Sequence, residues 1–366
     1  MKNARFIRPG VLALLLGALA ITGCKDDPPP AEPPPAPDKV VVVNEGLPAS
    51  GTGSISLYDP LNKNITNNVF YKTNTYVPGN SLYSIYNDGD RSFLSVAGTG
   101  EVLMVNSGNM NLQERFTGFG APHKVLKVSD NKYYVSDWIE GGVWVLNART
   151  GSLVKSILTG NGPENMVKYG NLVFVTNSGG PLADSTVSVI HALADTLMFQ
   201  LPTAHNPNSL LVDNQDKLWV LCSGIEDQQN PFNSTPGALI KYDLTRDSLE
   251  FYVADSLTLD TFWVFTDNQL KPQDLIQGGN ANTFYFLDYY KEANLMRFDR
   301  NNNALPTVPL IMGSYNAVGF DPDEKDIYLS DPGDGTSPGV MYRFDEAGGQ
   351  QDAQMTGIAP VDFGFR

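Results

Sequence analysis

A short β-rich run recurs seven times along this chain. The copies are Val41-Val42-Val43-Asn44, Phe93-Leu94-Ser95-Val96, Tyr133-Tyr134-Val135-Ser136, Val173-Phe174-Val175-Thr176, Leu218-Trp219-Val220-Leu221, Phe284-Tyr285-Phe286-Leu287 and Ile327-Tyr328-Leu329-Ser330. Their starts lie 52, 40, 40, 45, 66 and 43 residues apart. A period of about 40 to 50 residues with four strands per unit predicts an all-β, seven-bladed β-propeller of four-stranded antiparallel blades. The third unit is the clearest, with strands expected at Pro122 to Val128, Tyr133 to Asp137, Gly142 to Asn147 and Leu153 to Leu158. Turns at Asp130-Asn131 and Thr150-Gly151 separate them, as tight strand connections require. No long amphipathic helix competes. The first repeat opens directly at its second strand, while the chain ends on Pro360-Val361-Asp362-Phe363-Gly364-Phe365-Arg366, a pattern like those that begin other repeats at Pro122, Pro163, Pro207 and Pro272. The tail is therefore expected to supply the missing inner strand and so remove a free sheet edge.

Residues 39–366 are the expected propeller, and what precedes them reads differently. Residues 1–23 carry Lys2, Arg5 and Arg8 ahead of an apolar run from Val11 to Ile21 and then Thr22-Gly23-Cys24, the layout of a lipoprotein signal peptide with Cys24 as the lipidated residue. The apolar run is about half of the roughly 20 residues that a membrane span needs. Residues 24–38, proline-rich from Pro28 to Pro37, form an extended tether. The expected location is the outer membrane, reached through the acyl anchor. The formal charge of −15 becomes −18 once three cations leave with the signal peptide, a field that repels phosphate backbones and argues against nucleic acid as a partner. Cys222 then stands alone in an apolar run, which precludes an intramolecular disulfide and reads as a buried thiol.

The pattern Tyr/Val-Val-Thr/Ser-Asn/Asp, as in Val173-Phe174-Val175-Thr176-Asn177 and Tyr134-Val135-Ser136-Asp137, resembles the YVTN-type propellers over essentially all of residues 40–366. Asn44-Glu45-Gly46, Ser56-Leu57-Tyr58-Asp59-Pro60, Asn68-Val69-Phe70-Tyr71 and Gly339-Val340-Met341-Tyr342-Arg343-Phe344 are similar to the propeller lipoproteins displayed by Bacteroidota, the BtuG-type group included. Lys25-Asp26-Asp27 resembles their surface-export tag. The resemblance implies a surface-exposed lipoprotein that captures cobalamin or a related corrinoid and passes it to a TonB-dependent transporter. Propellers of one scaffold bind very different things, so the site has to be argued separately.

Connections from blade to blade, and from second to third strands, gather on one face of a propeller. The first set holds Tyr76, His123, Asn165, His205, Asn206, Tyr315 and Asn316, and the second holds Asn44, Glu45, Trp138, Glu140, Glu226, Tyr289 and Tyr290. Aromatic planes with amides suit a large, flat, amide-fringed ligand, and Tyr76, Trp138, His205, Asn206, Tyr289, Tyr290 and Tyr315 are the expected contacts. For each of them, bracing a loop is the competing role. His123 and His205 read as loop hydrogen-bonders and His191 as a strand end. Two stretches lengthen upper loops: 223–237, and 256–271 with Phe262-Trp263-Val264-Phe265, whose burial against the body is favoured over a lid or partner surface.

Acidic turns such as Asp331-Pro332-Gly333-Asp334-Gly335 lack a full calcium-ligand spacing and read as turns. Asp184-Ser185-Thr186, Asp195-Thr196-Leu197, Asp247-Ser248-Leu249 and Asp255-Ser256-Leu257 resemble O-glycosylation acceptors of exported Bacteroidota proteins. Nucleophile-elbow, zinc-protease and phosphate-loop signatures are absent. The expectation is a binder with neither catalytic residues nor a metal, and without a required cofactor. A protein–protein scaffold at the cell surface is the second reading. A calcium-dependent lactonase built on Glu45, Asn165, Asn206 and Asp274 is the third.

Overall fold

Each repeat folds into one antiparallel sheet. The computed structural model describes residues 39–366 apart from 49, 181, 228, 245–256, 268–269 and 289–292. The signal-peptide and tether readings, Cys24 included, therefore lie outside the described residues, as do two of the four glycosylation-like tripeptides. Seven sheets are present, six of four strands and one of three. The third blade runs Pro122–Ser129, Lys132–Asp137, Gly142–Asn147 and Ser152–Leu158, within about a residue of expectation at each end. The sixth has Gln273–Gln277, Thr283–Leu287 and Leu295–Asp299, with a single bridge from Leu295 to Ile311 in place of a fourth strand. The one α-helix among the described residues is the six-residue Val69–Asn74.

Ring closure follows the predicted route. Pro360–Gly364 pairs antiparallel with Val40–Asn44, matching Val42 with Phe363 and Val43 with Asp362, and becomes the inner strand of the first blade. The inner strands of successive blades touch all the way round, so seven of them line a central channel. Each blade is covered on both faces by its neighbours. That explains why second strands such as Leu172–Asn177 are buried at every position and read as continuous apolar runs rather than alternating ones. Between the fourth and fifth blades the filling is Phe174, Val187, Val189, Leu218, Val220, Ile240 and Tyr242.

The polar residue that ends each of several second strands has a mechanical role. Asn177 Nδ2 donates to Thr186 Oγ1 (2.8 Å) and Ser188 Oγ (3.0 Å), while its Oδ1 accepts from the Gly160 amide (3.1 Å). Asn44 does the same with Ser54, Ser56 and Gly357, and the Asp137 carboxylate accepts from the Gly120 and Ala121 amides. A short side chain at the end of the second strand thus clamps the loop arriving from the previous blade. Hydroxyls join blades from the inside. Ser84 donates to the His123 carbonyl, Ser136 to that of Glu164 (2.8 Å) and Ser330 to that of Pro360 (3.0 Å).

One segment differs from expectation. Thr258–Val264 is the outer strand of the fifth blade and not a loop, and it pairs Trp263 with Leu239. Trp263 stacks on the buried Trp219 at 5.6 Å and Phe265 is buried, whereas Phe262 and Val264 are exposed, so only alternate residues of the apolar run pack against the body. The 66-residue interval misled because extra chain entered before that strand, in addition to the longer connection at 223–237.

Candidate functional site at the channel mouth

Inner strands begin at the upper face, where the loops from blade to blade and from second to third strands also meet. Pro122, Pro163 and Pro207 open three of these strands. His123 follows Pro122 and Glu164 follows Pro163. His123 is 6% exposed and Glu164 7%; His123 hydrogen-bonds, as the sequence suggested, but from an inner strand and not from a loop. Glu164 accepts three hydrogen bonds: from Tyr83 Oη to Oε1 (2.9 Å), and from Trp138 Nε1 (2.5 Å) and His123 Nδ1 (2.9 Å) to Oε2. The His123 ring stacks against Tyr83 at 3.9 Å and against Trp138 at 4.5 Å. Three aromatic rings from the second and third blades are thereby fixed by one carboxylate from the fourth.

Around this stack lies a charged group. Lys124 Nζ sits 3.5 Å from Asp362 Oδ2 and 5.5 Å from the Tyr83 ring centroid. Burial pushes the Glu164 carboxyl up, but His123, Lys124 and the Tyr83 hydrogen bond outweigh it and hold Glu164 below the usual carboxylate range. Burial also pushes the Tyr83 phenol well up, with Glu164 adding to the shift. Asp274 lacks comparable compensation. Burial raises it to about 7, opposed by Lys124 and reinforced by Asp362 and Glu164. Burial likewise lifts Glu45, against the pull of His123.

The expected contacts scatter. Trp138 is at the mouth, half-buried in the stack. Tyr76 is exposed, set edge-on to Phe70 at 5.7 Å and beneath the Arg115 guanidinium. His205 Nδ1 faces Thr235 Oγ1 at 3.2 Å on the lengthened loop of the fifth blade. Asn206, in a left-handed backbone conformation (φ 55°), spends its side chain on the Gly224 carbonyl and the Asp184 amide. Tyr315 is 7% exposed and packs on Tyr342 and Phe344 inside the seventh blade, so bracing is the role its surroundings give it. Tyr289 and Tyr290 lie outside the described residues. His191 ends its strand as expected, its Nδ1 accepting from the Ala194 amide (3.1 Å).

Sequence reasoning missed Tyr83, Lys124, Glu164 and Asp362 as site residues. The available signal was their place at the start of an inner strand, Tyr83 and Glu164 second and Lys124 and Asp362 third. Of the lactonase set, Asn165 Oδ1 accepts from the Met166 amide and Asn206 is engaged as described. Among the described residues no three His, Cys, Asp or Glu side chains gather as metal ligands. The acidic turn is ordinary turn chemistry: Asp334 Oδ1 accepts from the Thr336 and Ser337 amides, which holds its carboxyl at about 2.

Fold and channel together define a seven-bladed β-propeller with an aromatic, carboxylate-clamped mouth. The chain belongs to the family described as Domain of unknown function (DUF5074), which matches residues 38–355. No curated protein sequence matches it. Among solved structures it is similar to a candidate 6-phosphogluconolactonase from Bacteroides fragilis NCTC 9343, with TM-score 0.66 and 11% identity over 93% of this chain and 100% of that one. It is also similar to a candidate 6-phosphogluconolactonase from Bacteroides uniformis ATCC 8492, at TM-score 0.65 and 11% identity over 90% and 100% of the two chains. A quinonprotein alcohol dehydrogenase-like protein from Bacteroides thetaiotaomicron VPI-5482 gives TM-score 0.64 and 10% identity over 90% and 78%. At these identities the likeness establishes the fold alone.

Proposed function

We propose that the chain binds a small, flat ligand at the upper mouth of its channel, without turnover, and that cobalamin or a related corrinoid is the ligand to test first. The observation that carries the reading is the Tyr83–His123–Trp138 stack held by Glu164. Three rings with little rotamer freedom supply contact area at small entropic cost, and Lys124, Asp274 and Asp362 beside them offer polar partners to a ligand fringe. Under this proposal the protein is an outer-membrane lipoprotein, anchored through Cys24, that hands the ligand to a TonB-dependent transporter.

Titration calorimetry of the purified protein with cyanocobalamin should give one site per chain. Nanomolar affinity would correspond to about −12 kcal/mol. Trp138→Ala should weaken binding by about 1 to 4 kcal/mol if the indole is an anchor. Absence of heat and of any melting shift with a panel of corrinoids would remove the ligand and leave the scaffold reading. That second reading has its own support in Ile139, Leu182 and Phe232, large apolar side chains exposed on upper loops of three successive blades, the last of them 99% exposed.

A further inference from the structure

A cavity of about 520 Å3 opens on the upper face where the first blade, closed by Pro360–Gly364, meets the seventh. Its walls come from the loop before Ser54–Asp59, the chain just after Asn64–Thr66, the connection to the second blade and the last residues of Gln350–Ile358. It shares no residue with the stack at the channel mouth. Its size falls within the range of small-molecule sites, about 300 to 1,000 Å3. Two oxygens in the wall lack partners. Asn67 Oδ1 is covered by protein and accepts no hydrogen bond, while its Nδ2 donates to the Met355 carbonyl of the seventh blade (3.0 Å) and so fixes which way the amide faces. Ser54 is 8% exposed, and its hydroxyl has no hydrogen-bond partner among the described residues. Gly357 keeps that hydroxyl uncovered, since a side chain there would collide with Ser54 Oγ. Buried polar groups are nearly always satisfied, so two orphans in one wall point to a partner that enters the cavity.

The rest of the lining says what kind of partner. Tyr71, half exposed and stacked on no other described ring, joins Pro78, Pro338 and Ile358 in giving the cavity an apolar surface. No Asp, Glu, Lys, Arg or His lines it. A charged ligand would lose its hydration there without gaining a counter-ion. We propose that this cavity is a second binding site, separate from the channel mouth, and takes an uncharged pyranose. A sugar hydroxyl donates to Asn67 Oδ1, directly or through one water, and another exchanges a hydrogen bond with Ser54 Oγ. The C–H face of the ring packs on Tyr71 and the prolines, as an amphipathic ligand does on an aromatic wall. Such a ligand touches the closing blade and its neighbour together, so it should stabilise the closed ring as well as occupy the site.

The test uses the purified protein with the methyl glycosides of glucose, galactose and mannose, N-acetylglucosamine, and glucuronate as the charged control. Saturation-transfer NMR should show contact with at least one neutral sugar, and that sugar should raise the melting temperature. Hydrogen exchange on the unaltered protein should slow at residues 51–54, 67–71 and 356–358. Ser54→Ala should weaken binding by about 3- to 10-fold, the loss of one hydrogen bond. Tyr71→Ala, at an exposed ring, should weaken it by about 10-fold. No binding of any neutral sugar overturns the inference, as does glucuronate binding as tightly as the glucoside, protection confined to other residues, or affinity unchanged in both variants. Each of these results leaves the reading of the channel mouth standing. Because exchange is measured on the unaltered protein, the inference stays falsifiable even if a substitution fails to fold.

Discussion

Removing residues 360–366 should open the ring. The deletion uncovers Val40–Asn44, every residue of which is buried, and erases the pairs Val41–Gly364, Val42–Phe363, Val43–Asp362 and Asn44–Pro360. It also takes away the Phe363 ring packed on Tyr328 at 6.1 Å, and the Asp362 carboxylate that accepts from the Ile85 amide (3.0 Å) in the next blade. Ladder hydrogen bonds at about 1 kcal/mol each and roughly 1.5 to 3 kcal/mol for burying the Phe363 side chain come to about 6 kcal/mol. A domain is stable by only about 5 to 15 kcal/mol in all, so this loss is a large fraction of it. For a chain of this size the melting temperature should fall by on the order of 10 °C. The exposed edge of Val40–Asn44 should also promote self-association. Differential scanning calorimetry with size-exclusion chromatography measures both. Phe363→Ala should give a graded version, about 3 to 5 kcal/mol from the cavity it leaves. A truncated chain that melts cooperatively at the temperature of the intact one, and stays monomeric, would refute the view that the last strand carries ring stability.

Three further outcomes are expected. Asp274 is raised from an ordinary value near 3.8 to about 7, so the folded state binds the extra proton between those limits and stability should decline as pH rises from about 4 to about 7. Asp274→Asn should flatten that decline in urea unfolding midpoints, and an unchanged slope would count against the assignment. Burial pushes the Cys222 thiol up to about 12, so in a Cys24→Ala background a maleimide should label the chain only after unfolding. Rapid labelling of the native protein would show that the fifth blade opens. Cys24→Ala should also abolish acylation and surface display, and intact cells whose unaltered protein resists added protease would argue against the outer-face location.

Repeat number, the strand pattern of the third blade and the closing role of Pro360–Gly364 were legible in the sequence. A blade buried on both faces imposes an apolar run at a fixed spacing, and that spacing survives in one dimension. The outer strand Thr258–Val264 was not legible, because an insertion of unknown placement within one period shifts every boundary after it. Trp138 was foreseen at the mouth, whereas Tyr315 has the same kind of sequence context and is buried. A tyrosine next to a turn carries no record of which side its ring takes.

What the chain alone determined is thus the all-β class, the sevenfold period and the need for its two ends to meet, since each follows from local burial repeated at regular intervals. Only the tertiary structure decided the site. Tyr83, His123, Trp138 and Glu164 come from three blades, and Tyr83 and Glu164 are 81 residues apart in sequence yet 2.9 Å apart in space. Their stack depends on the angle between neighbouring blades and on which residues of each inner strand turn into the channel. Those quantities are set by packing around the whole ring, so no single repeat encodes them.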